Sequence, residues 1–88
     1  MMPTSVNAPR RPVRSARMNA KEWIAAYAGR LGTSAPSPDE FRLVLDIAGE
    51  AAHSSERVAA PVACWVAAKA GAPLDEALKL AREITANA

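Results

Sequence analysis

Apolar positions recur with helical spacing in four stretches of this chain, and turn residues separate the stretches. In the first, Trp23, Ile24, Tyr27 and Leu31 fall on one stripe, which predicts a helix from Ala20 to about Leu31. Asn19 is a good N-cap, Glu22 completes a capping box, and Gly32 supplies a left-handed exit. In the second stretch Phe41, Leu43, Val44, Leu45, Ile47, Ala48, Ala51 and Ala52 cover a broad arc. Arg42, Asp46, Gly49, Glu50 and His53 cover the remaining face. An arc that wide predicts a central helix, Pro38 to about His53, touched by neighbours on more than one side. Ser37-Pro38-Asp39-Glu40 signals its start with a capping serine, a proline at the first helical position and two acids at the positive end of the helix dipole.

Ser54 and Ser55 compete with the backbone for hydrogen bonds, and Pro61 suits only the first turn of a helix. The second helix is therefore expected to stop near Ser54 or Ser55 and the third to begin near Ala59 or Ala60, with one kinked helix as the alternative. The third runs to about Ala70 with Val62, Trp65 and Val66 inward and Lys69 snorkelling from the edge of the stripe. Gly71-Ala72-Pro73 predicts a tight turn. The fourth helix, Pro73 to about Thr85, is expected to bury Leu74, Ala77, Leu78, Ala81 and Ile84. The fold class this predicts is all-α, a compact bundle of four short helices joined by short loops. Both tryptophans, Trp23 and Trp65, are expected inside it.

Composition adds a constraint on stability. Alanine is the commonest hydrophobic residue, so large core side chains are few. The part expected to fold, 18–88, is of a size that buries only ~60–65% of its chain surface. Oligomerisation or docking onto a partner would be a natural supplement.

Charge divides the chain. Residues 1–17 hold Arg10, Arg11, Arg14 and Arg17, three prolines and no acid, and this tail is expected to be disordered. Translation from Met18 rather than Met1 or Met2 would omit it. The remaining seven basic and nine acidic residues leave the domain mildly acidic, so nucleic-acid binding by the domain itself is not expected. A basic arm reaching an acidic partner is the one route left to it. Cys64 is the lone cysteine, no apolar run approaches a membrane span, and the N-terminus lacks a secretory pattern. A cytoplasmic protein is the expectation.

The candidate chemistry lies where the second helix ends. Glu50-Ala51-Ala52-His53 has the Glu-x-x-His spacing of bundle metal sites, with Asp46 on the same face. However, there is one copy, no second histidine, and the face is opposite the apolar arc. Neither a metal nor a cofactor is expected. Ser54, Ser55 and Cys64 lack the arrangement of a nucleophile and base, so no catalytic residue is assigned and the chain is not expected to be an enzyme. His53, Glu56 and Arg57 instead form a polar cluster, with Asp46 and Glu50 nearby. It is either a docking surface for a protein or phosphate-bearing ligand, or a clamp in which Arg57 fixes the second helix against the third.

The runs Asn19-Ala20-Lys21-Glu22-Trp23-Ile24, Leu31-Gly32, Ala52-His53-Ser54-Ser55-Glu56-Arg57, Ala59-Ala60-Pro61 and Gly71-Ala72-Pro73-Leu74 with Glu76-Ala77 resemble a family of small all-helical bacterial domains of unknown function. Its members occur as stand-alone proteins of high-GC bacteria. Similar domains follow nucleotidyltransferase domains that resemble the guanylyltransferase of molybdenum cofactor biosynthesis. The resemblance covers about Met18 to Ile84, and the Ala-His-x-Ser-Glu-Arg-x-Ala-Ala-Pro run is its most specific part. It implies an accessory domain with a protein partner, such as a nucleotidyltransferase, and implies no reaction. The reading from sequence is thus a non-catalytic interaction module using His53, Glu56 and Arg57. A small-molecule or metal-binding subunit using Glu50 and His53 is the alternative.

Overall fold

In the computed structural model, which describes residues 18–87, every predicted stretch is an α-helix. These are α1 (Ala20–Leu31), α2 (Pro38–Ser54), α3 (Ala59–Ala70) and α4 (Leu74–Asn87). No strand occurs among the described residues, and the arginine-bearing tail of residues 1–17 lies outside them. The helices fall into two units, one ending at Ala35 and one beginning at Pro36.

The first unit holds α1. Glu22 N–H donates to Asn19 Oδ1 at 2.8 Å, and Asn19 N–H donates to Glu22 Oε1 at 2.9 Å, the predicted capping box. At the other end Gly32 takes φ +81°, where only glycine is unstrained. That turn lets Thr33 N–H reach Ala28 O at 2.9 Å and Gly32 N–H reach Gly29 O at 3.1 Å, so two terminal carbonyls are satisfied. Trp23 is not inside as expected but 53% exposed. Its ring lies against that of Tyr27 one turn on, with centroids 5.0 Å apart, so part of its apolar surface is covered along its own helix.

The second unit is organised on α2, which packs against both α3 and α4. Ser37 and Glu40 form a second capping box, with bonds of 2.8 and 3.1 Å, so the start signal holds more than the serine alone. Ile47 is 3% exposed, the most buried core side chain, and from α4 Leu78 is 6% exposed. The α2–α3 break is real rather than a kink: α2 stops at Ser54, and Ala59 and Ala60 N–H donate to Glu56 and Arg57 carbonyls. Pro61 stands in the first turn of α3, as its missing N–H requires. Gly71, at φ +71°, turns the chain into α4. Pro73 precedes α4 instead of opening it, and its carbonyl accepts Ala77 N–H at 2.9 Å.

Two expectations about packing are corrected. Val62, Trp65 and Val66 do not face inward; all three are exposed, Trp65 by 61%. The half-buried positions of α3 are Ala59, Ala60, Ala63, Cys64 and Ala67. Small side chains let two helices approach closely, so the alanine side becomes the contact face and the large residues turn out. Ile84 is likewise not buried but 70% exposed, while Leu74, Ala77 and Ala81 are half-buried. Lys69 is exposed with Nζ 5.0 Å from the centroid of Trp65, so its stem and charge cover an apolar ring.

Candidate functional site

The five residues singled out from sequence do not converge. Asp46 lies 3.8 Å from Arg42 Nη1, and Arg42 also meets Asp39 at 3.7 Å, pairs made within α2 itself. Glu50 is drawn the other way. Its Oε2 is 3.6 Å from Arg82 Nε, and its Oε1 accepts a hydrogen bond from Thr85 Oγ1 at 3.0 Å. Both partners belong to α4, so the half-buried Glu50 ties α2 to α4 rather than facing solvent. The Glu50 carboxylate already has two partners, and among the described residues no group of three His, Cys, Asp or Glu is placed to hold a metal ion.

His53, Glu56 and Arg57 remain together on the exposed end of α2 and the turn that follows it. The hydrogen bonds at the junction do not use their side chains. Ser54 Oγ donates to Glu50 O at 2.7 Å, and the start of α3 is tied by main-chain bonds. Among the described residues none of the three side chains has a hydrogen bond or ion pair, so Arg57 forms no clamp onto α2. The result is one imidazole, one carboxylate and one guanidinium presented to solvent beside the exposed Val58.

Cys64 is half-buried, with Sγ 3.7 Å from Val44 O on α2. Burial pushes its thiol pKa up, the opposite of what a nucleophilic cysteine needs.

Two clefts complete the second unit. A cleft of about 550 Å³ between α2 and α4 is edged by Arg42, Lys79 and Arg82 against Asp46, Asp75 and Glu83, so its charges cancel and it favours neither anion nor cation. The other, about 460 Å³, opens between α3 and α4 and is lined almost wholly by apolar side chains, with Ile47 as its floor and Val62, Val66, Leu80 and Ile84 on its walls. This apolar groove was missed from sequence. Its signal was the pair of four-residue spacings, Val62 to Val66 and Leu80 to Ile84, each set beside alanines small enough to take the inward places.

A family model described as a domain of unknown function, DUF6457, matches residues 15–88. The chain belongs to the DUF6457 family. The DUF6457 match takes in all four helices and the junction, and it starts three residues before Met18, where the resemblance seen in the sequence begins. No curated protein and no solved structure matches the chain. Among the described residues of this DUF6457 domain, no helix is long and apolar enough to cross a membrane.

Proposed function

We propose that this DUF6457 domain is a non-catalytic accessory module that docks another protein through the α2–α3 junction, with His53, Glu56 and Arg57 as the contact residues. The observation that carries the reading is the uncommitted state of these three side chains. They sit exposed at a turn held by Ser54 Oγ on the Glu50 carbonyl and by main-chain bonds from Ala59 and Ala60, and none has a side-chain partner among the described residues. A guanidinium with five free donors next to a free carboxylate can be matched bidentately by a partner at little cost in fold stability. Asp46 and Glu50 play supporting parts, holding Arg42 and α4 respectively.

The resemblance to domains that follow guanylyltransferase-like domains names the first partner to try, a nucleotidyltransferase of molybdenum cofactor biosynthesis in a reducing cytoplasm. The test is calorimetric titration of the full chain against that purified enzyme, with Arg57→Ala in parallel. Binding that weakens roughly tenfold or more in the variant, with an unchanged melting temperature, is the expected result. A variant that melts early returns Arg57 to a structural role. Absence of binding by the unaltered chain removes this partner.

A further inference from the structure

We infer that the open apolar face formed by α3 and α4 binds a second copy of this chain. The inference is independent of the junction reading, because the face is made of other residues. From the N-cap of α3 onward, Val58, Val62 and Val66 follow at four-residue spacing, with Trp65 three residues after Val62, and all four are exposed. Across the groove, Leu80 and Ile84 repeat the pattern on α4 and are exposed in turn. With ordinary side-chain areas, these exposures leave on the order of 600 Å² of apolar surface, the upper end of what a monomer carries in one patch. The alanines lining the groove bring the face toward the ~800 Å² per partner of a standard interface.

Charge selects the occupant. Lys69 is the sole charged residue of α3. On α4, Glu76 and Glu83 lie one position from the groove residues Ala77 and Ile84, and both are exposed. Neither glutamate side chain has an ion pair among the described residues. With Lys79 between them, Glu76 and Glu83 leave that edge of the face one net negative charge, against the single positive charge of Lys69. A two-fold axis that sets α3 of one copy over α4 of the other brings each Lys69 to a glutamate of the opposite copy, twice over. The groove gives the same arrangement an apolar seat, since its lining of Val62, Val66, Leu80, Ile84 and alanines offers apolar surface to the apolar residues of the other copy.

The experiment is sedimentation velocity on the full chain from about 1 μM to about 500 μM, a range that spans weak and moderate dimers. The expected result is a monomer at the low end and twice the monomer mass at the high end. Val66→Glu is expected to raise the dissociation constant roughly a hundredfold. Circular dichroism checks that it stays folded; should it not, Ile84→Glu, at the most exposed of the large groove side chains, carries the same test. Lys69→Glu is expected to weaken the dimer, and adding Glu76→Lys and Glu83→Lys to the same chain to restore it. Arg57→Ala is expected to dimerise like the unaltered chain, which separates this result from any failure of the junction reading. A chain that stays monomeric throughout, or a dimer indifferent to Val66→Glu and Ile84→Glu, overturns the inference.

Discussion

The two flanks of α2 are built in opposite ways. On the α4 flank a large residue goes inward: Leu78 is 6% exposed, and a polar seam from Glu50 to Arg82 and Thr85 runs beside it. On the α3 flank the half-buried residues are four alanines and Cys64, while Val62, Trp65 and Val66 turn to solvent. A large residue contributes by burying its own area, whereas a small one contributes by letting two backbones close up. The second solution leaves the large side chains unspent within the unit. A domain this small rarely leaves them so without a use.

The largest test strikes where the flanks meet. Ile47 is the floor of the groove and the most buried core residue, so Ile47→Ala should lower unfolding free energy by about 3 kcal/mol. Urea unfolding measures this, and a loss under about 1 kcal/mol would mean the flanks do not share a core. The next compares neighbours in sequence on opposite faces of α3. Cys64→Leu overpacks the close α2–α3 contact and should cost about 2 kcal/mol. Trp65→Ala, measured at low protein concentration, should change stability by no more than about 0.5 kcal/mol although it deletes the larger side chain. The reverse order of costs would put Trp65 in the core and erase the difference between the flanks.

The helices themselves were readable from local chemistry. The Asn19–Glu22 box, Ser37-Pro38, the Gly32 and Gly71 exits and the Ser54-Ser55 break all act within a few residues, and all stand where the sequence puts them. Which face of a helix goes inward is a different question, because it depends on the partner. On α2 and α4 the large residues and the core coincide at Ile47 and Leu78. On α3 the largest side chains define the apolar stripe, but the alanine side makes the contact, so the stripe of Val62, Trp65 and Val66 does not point to the core. Of the candidate site, His53, Glu56 and Arg57 were legible as an exposed junction cluster. The fate of Glu50 was not, since Arg82 and Thr85 lie more than thirty residues away and only tertiary packing brings them near.

The seam on the α4 flank offers a smaller effect. Arg82 is largely exposed and stands 3.6 Å from Glu50, a distance and setting in which solvent screens most of the attraction. A double-mutant cycle of Glu50→Ala and Arg82→Ala should give a coupling energy of about 0.5 kcal/mol, falling with added salt. A coupling above about 2 kcal/mol would make the seam, rather than Leu78, the main tie between α2 and α4.

The smallest effect belongs to the thiol on the α3 flank. Burial raises the pKa of Cys64, so at neutral pH the folded chain holds a smaller thiolate fraction than an unfolded one. Because the thiolate is the reacting species, iodoacetamide should label Cys64 more slowly in the native chain than in urea. The same shift has a sign in stability. The stabilisation is fully present below the unfolded thiol pKa of about 8.5 and is lost as pH rises through the higher folded value. Cys64→Ala should remove that part of the alkaline decline and leave the acid side unchanged. Native labelling as fast as in urea, or an alkaline decline identical in both chains, would show that α3 opens from α2 readily and that the alanine contact is loose. Slow labelling would place the close backbone contact, and hence the outward turn of Trp65, among the persistent features of the fold.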